Sequence, residues 1–170
     1  MNPTRSFGGK HQLGAGAACV VAATLTLFAP AATASSFAGE DPWAAEHIDK
    51  LPPDIRREVA RRERACGGGA LAGHYFAVSI EGRGQKFVSL HFEDFACTDR
   101  AQVCRGGACL HVIFLETHGR HRVVFSAYVE DVRMTNDRGA VGLEVLRDGT
   151  RQTLRWNGQG FLPAADRNGN

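Results

Sequence analysis

The apolar positions of this chain change period once. Before residue 66 they recur at helical spacing, and beyond residue 74 they alternate. Ile55 and Val59, with Cys66 just past the end, fall on one side of a helix expected from Pro53 to about Ala65. Its opposite side carries Arg56, Arg57, Arg61 and Arg64 among Asp54, Glu58 and Glu63, with Arg62 at the edge of the stripe. Glu58–Arg62 and Asp54–Arg57 stand at helix-neighbour spacing, so this side reads as a solvated face rather than a basic docking surface. A shorter helix is expected before it. Asp41-Pro42 supplies a capping acid and a first-turn proline, Trp43, His47, Ile48 and Leu51 share one side, and Pro52-Pro53 closes the segment. Gly67-Gly68-Gly69 stops the second helix; no Lys-Ser/Thr pair follows, so it is not a phosphate loop.

The alternating part reads as successive strands. His74–Ile80 is the first, and a hairpin follows in which Val88, Leu90 and Phe92 share a face with Leu110, Val112 and Phe114. Folding back about Val103 pairs Phe92 with Phe114. Arg122–Val129 makes a fourth strand, with Val123, Phe125, Ala127 and Val129 in step, Ala140–Leu146 a fifth and Thr150–Trp156 a sixth. Turns are expected at Gly82-Arg83-Gly84, His118-Gly119, Asn136–Gly139 and Asp148-Gly149. The fold class that follows is α+β: two short N-terminal helices, then an antiparallel sheet of about six strands with the second helix across one face.

The amino terminus changes the picture of compartment. Arg5 and Lys10 precede an apolar run from Leu13 to Pro30 and then Ala32-Thr33-Ala34, the order of a secretory signal peptide. Residues 1–34 are read as that signal, 35–40 as a flexible arm, 41–163 as a single domain and 164–170 as a disordered tail. Of 20 basic and 18 acidic residues the signal takes two basic ones, leaving equal numbers. A balanced mature chain carries no electrostatic footprint for nucleic acid. No second apolar span follows, so no membrane span is expected after cleavage, and the product belongs in the periplasm or outside the cell.

Four cysteines remain in the mature chain: Cys66, Cys97, Cys104 and Cys109. In an exported protein they read as two disulfides. Cys66–Cys97 with Cys104–Cys109 is the first pairing. Cys66–Cys104 with Cys97–Cys109 is the second, because Cys97 and Cys109 fall opposite each other in the expected register. A zinc site from Cys97, Cys104, Cys109 and His111 is the rival use, without a recognised spacing to support it.

The candidate chemistry is sparse. His91 and Glu93 share a strand face, and His111 stands one diagonal step from Glu93 on it. Two imidazoles and a carboxylate are the parts of a metal-dependent hydrolase, with the carboxylate taking a proton from bound water. That face, opposite the Val88/Leu90/Phe92 side, is expected to be covered at best by loops. His118 and His121 flank a turn and are an alternative pair of surface metal ligands. No G-x-S-x-G nucleophile motif occurs. The expectation is therefore no cofactor, no catalytic metal and no catalytic residue. The function expected is a non-catalytic, disulfide-stabilised binding or accessory module of the envelope, whose partner is a protein or another envelope component. The metal hydrolase on His91, Glu93 and His111 is the alternative.

The stretches I-D-K-L-P-P-D-I-R, L-H-F-E, C-L-H and L-R-W-N-G-Q-G-F together resemble small exported proteins of alphaproteobacteria that have no assigned function. The resemblance covers most of the mature chain and transfers no catalytic residue.

Overall fold

The computed structural model describes residues 41–164. The expected signal at 1–34, the arm at 35–40 and the tail beyond its first residue lie outside the described residues. Within them the chain is mostly β, with twelve strands in three antiparallel sheets and two helices. This corrects the α+β expectation of two helices and one six-stranded sheet.

The first sheet joins β1 (Trp43–Ala44), β2 (Leu71–Gly73) and β5 (Phe95–Ala96). The central sheet orders β3 (Ala77–Gly82), β4 (Gln85–His91) and β7 (Ala108–Thr117), with the short β6 (Cys104–Arg105) and β8 (Arg120–Val129) also paired to β7. The third is a meander of β9 (Asp131–Asp137), β10 (Ala140–Arg147), β11 (Thr150–Trp156) and β12 (Phe161–Pro163). The helices are α1 (Glu46–Asp49) and α2 (Pro53–Ala65). Four two-residue hairpin turns, Arg83-Gly84, His118-Gly119, Arg138-Gly139 and Asp148-Gly149, have both residues at positive φ, the twist that matches paired strands.

The central sheet buries both faces. Val88, Leu90, Val112 and Phe114 pack with Ile55 and Val59 of α2 and with Phe76, Phe92 and Phe95 in one core. Phe87, Ile113 and Leu115, on the opposite face, meet Val132, Val141, Leu143 and Val145 of the meander in a second. The two layers approach closely at Gly82. A Cβ there would lie 2.6 Å from Val141 Cγ2 and 2.7 Å from the Gly139 carbonyl oxygen, so only glycine lets the strands pass.

Three departures from the sequence reading have local causes. Asp41 Oδ1 accepts the Trp43 N–H at 3.0 Å, so Asp41-Pro42 opens a turn that feeds β1, and α1 shrinks to four residues. The hairpin registers as Val88–Phe114 and Leu90–Val112 instead of Phe92–Phe114. That slip of four residues keeps each side chain on its face, since strand side chains alternate with period two, while Phe92 enters a one-turn 3-10 helix at Phe92–Asp94. In β8 the pairings Ile113–Phe125 and Phe114–Val123 leave Val124 as a bulge. Val124 then turns toward the core while Val123 is half exposed, so the expected alternation breaks at that point.

Candidate functional site: a His–Glu–His cluster between two sheets

The residues expected on an open sheet face lie between two layers. β4 ends at His91, directly opposite His111 of β7, whereas the expected register set His111 one diagonal step from Glu93. The two rings meet edge to face with centroids 5.1 Å apart. Glu93 is not on the strand; the 3-10 turn after His91 swings it back over both rings. Its Oε1 lies 3.4 Å from His91 Nδ1 and its Oε2 3.4 Å from His111 Nε2. One donor atom from each of the three residues lies within 4.8 Å of the others. The covering layer is the meander, two of whose strands the sequence reading placed in the one sheet instead of in a layer of their own, so the expectation of a face covered only by loops is corrected.

The electrostatics follow from burial. His111 is wholly buried, and desolvation pushes its imidazole below the ordinary value; the Glu93 carboxylate and Asp131 oppose that, while His91 adds to it. Burial also works to raise the Glu93 carboxyl, but the His91 hydrogen bond and the charge of His111 prevail and hold it low. Burial and Glu93 together raise Asp94. Glu93 Oε2 and both ring nitrogens of His111 make no hydrogen bond of good geometry, although the Val129 backbone adjoins the His111 ring.

The loop bearing Glu93 is clamped. The Arg100 guanidinium donates to the Glu93 carbonyl at 3.0 Å, to the Phe95 carbonyl at 3.2 Å and to Cys104 Sγ at 3.4 Å. The structure pairs Cys66 with Cys97 and Cys104 with Cys109. Thus Cys97 stands four residues after Glu93, and Cys109 two residues before His111, each in a cross-link. The disulfide use of these cysteines leaves no thiolate for the Cys97/Cys104/Cys109/His111 zinc arrangement.

His118 and His121 do not act as a pair at the turn tip. His118 is exposed at a positive-φ turn position, while His121 turns back onto α2. The Asp54 carboxylate accepts the His121 backbone N–H at 2.6 Å and lies 3.0 Å from its Nδ1. Burial raises the Asp54 carboxyl, but these His121 contacts outweigh it and the net shift is downward. A depressed aspartate pKa stabilises the fold fully above its ordinary value of 3.8, and that contribution is lost as pH falls through the lower folded value. Asp54→Ala is expected to cost about 1–2 kcal/mol near neutrality, the lower part of the range for a charged hydrogen bond because Asp54 is partly exposed. Urea midpoints of the two proteins should draw together as pH falls below 3.8 and through the lower folded value; a difference that persists once Asp54 is protonated in both states would place the effect elsewhere.

Sequence reasoning missed a second concavity. A cleft of about 400 Å³ is lined by His47, Lys50, Leu51, His74, Lys86 and Val88, among others. His47 hydrogen-bonds the Ala72 carbonyl through Nδ1 at 2.8 Å, its ring meets His74 edge to face, and Tyr75 next to it is 71% exposed. The basic residues come from α1, the β2–β3 turn and β4, so only the tertiary fold gathers them. No helix among the described residues is long and apolar enough to cross a membrane. Compared with known proteins, the chain matches no family model, and neither a curated protein nor a solved structure matches it.

Proposed function

We propose that this is an exported, disulfide-linked, non-catalytic binding module of the cell envelope, which takes its partner at the cleft beside Tyr75. The observation that carries this reading is the small size of the groove that reaches the His91–Glu93–His111 group. A hydrolase must admit substrate to its ligands, and sites for small molecules begin at about 300 Å³. The groove that reaches His91, between β3 and β9, measures about 200 Å³ and is lined by neither Glu93 nor His111. The cleft beside Tyr75 is larger, lined by Leu51, Pro52 and Val88 together with His47, Lys50, His74 and Lys86, the last of which also faces Glu116 at 3.8 Å. That combination suits an acidic, partly apolar segment of another envelope component. Two cross-links support the export part of the reading, since disulfides persist in oxidising compartments.

A photo-crosslinking residue at position 75, expressed in the full precursor, tests it. The expected result is one discrete adduct in the envelope fraction, lost on Lys86→Glu, and none from the same probe at Arg151. No adduct at position 75, or equal adducts at both positions, would remove the proposal.

A further inference from the structure

We propose that His91, Glu93 and His111 bind one divalent transition-metal ion of the zinc class, held between the sheets as a ligand and not as a reaction centre. The site is independent of the cleft. Its first support is spacing. Ligands bound at 2.0–2.1 Å in a tetrahedron stand about 3.3 Å apart, and both histidine–carboxylate separations are 3.4 Å. The two histidines face different oxygens of the one carboxylate, Oε1 for His91 and Oε2 for His111, and one donor atom from each residue lies within 4.8 Å of the others. His91, 13% exposed and lining the groove between the edge strands, is the ligand with room to move onto an ion.

The second support is unsatisfied chemistry. Buried polar atoms in folded proteins are nearly always hydrogen-bonded, yet Glu93 Oε2 and the His111 Nε2 that faces it at 3.4 Å have no partner of good geometry, while the Val129 backbone interacts with the buried His111 ring. A cation placed among them satisfies Glu93 Oε2 and one nitrogen of each ring at once. The donor set selects the ion. Imidazole with carboxylate suits zinc, copper, nickel or iron, whereas calcium and magnesium require oxygen cages.

The third support is preorganisation. Arg100 holds the Glu93 and Phe95 carbonyls, the Cys66–Cys97 bridge anchors the same loop, and Cys104–Cys109 anchors the strand that carries His111. Ligands fixed in this way lose little entropy on binding. Glu93 remains 39% exposed, so the cluster has a side open to solvent through which an ion can enter.

The test uses tag-free protein recovered from the exported fraction with both disulfides intact. Zinc is titrated against a chromophoric chelator, and cobalt is added separately because a tetrahedral site gives strong visible absorption. One equivalent of zinc at micromolar affinity or tighter is expected, with the cobalt bands. Glu93→Gln and His91→Ala should each weaken binding at least tenfold, while His118→Ala leaves it unchanged. Glu93→Gln is the decisive variant: Glu93 is partly exposed, so folding should survive, and near-UV circular dichroism checks this. His111→Ala removes a buried ring and is not relied on. Less than one equivalent bound, wild-type binding in Glu93→Gln and His91→Ala, or loss of binding in His118→Ala would overturn the site. None of these results bears on the Tyr75 crosslink.

Discussion

Replacing Cys66 and Cys97 together by alanine is expected to lower the free energy of unfolding by about 3–4 kcal/mol, the chain-entropy value for a loop of this length. The bridge spans 31 residues, and its sulfurs reinforce two segments that also meet through the β2–β5 pairing. Cys66 ends α2, where its N–H donates to the Arg62 carbonyl at 2.9 Å and its own carbonyl accepts from Asp99 at 2.8 Å. Cys97 follows β5. Without the bridge, α2 keeps Ile55 and Val59 in the core, but the 93–104 loop loses its covalent tether to the helix and keeps only the Asp99–Cys66 backbone hydrogen bond there. Domains of this size have roughly 5–15 kcal/mol in all, so the variant should still fold at room temperature with a much lower urea midpoint. The measurement is chemical denaturation of oxidised protein and variant. A change below about 1 kcal/mol would mean that the unfolded chain is already compact across this loop.

The second large effect is expected at Phe87. Its side chain is wholly buried, with the Trp156 ring 5.3 Å away edge to face and the Phe161 ring at 6.0 Å. Trp156 in turn donates from Nε1 to Gln85 Oε1 at 2.8 Å. Phe87 thus joins the central sheet to the last two strands of the meander. Phe87→Ala should cost about 3–5 kcal/mol, the usual range for a buried phenylalanine. The loss should be uneven, with a red shift of Trp156 emission while α2 stays docked. A loss under about 1 kcal/mol would show that Trp156 and Phe161 collapse into the space.

Much of the local structure was legible in the chain. The helix at Pro53–Ala65, the hairpin turns and the two faces of the 88–114 pair all follow from period and turn chemistry, and α2 packs its Ile55/Val59 stripe where the pattern put it. The layer count was not legible. Val132 and Met134 alternate as a strand should, but Glu130 alone separates β8 from β9, so a continuous extended ribbon passes from one sheet into the next. Alternation cannot report such a corner, because it says which residues share a face and not which sheet owns it. The same limit governed the site. Phe95, Ile113 and Leu115 marked the His91/His111 face as more than a solvated one, although Phe95 enters the opposite core; what covers the face lies in residues 131–163, and Glu93 reached the histidines only because the strand stops and turns at Phe92. His121 was misplaced for a related reason: its partner Asp54 is 67 residues away.

The cross-links also divide the molecule in time. All four disulfide-bonded cysteines lie before residue 110, and the meander from Asp131 onward has none. One core is therefore stapled and the other is held by packing and strand pairing alone. Fluctuations that open a protein piecewise select the part with the least holding it, so backbone amides of β10 and β11 should exchange with solvent sooner than those of β4 and β7. Each such opening uncovers the Phe87, Ile113 and His111 side of the central sheet without breaking a covalent bond. Solvent then reaches the His111 imidazole through that buried face at the rate at which the meander breathes, and a reductant acting on either bridge leaves that clock almost untouched.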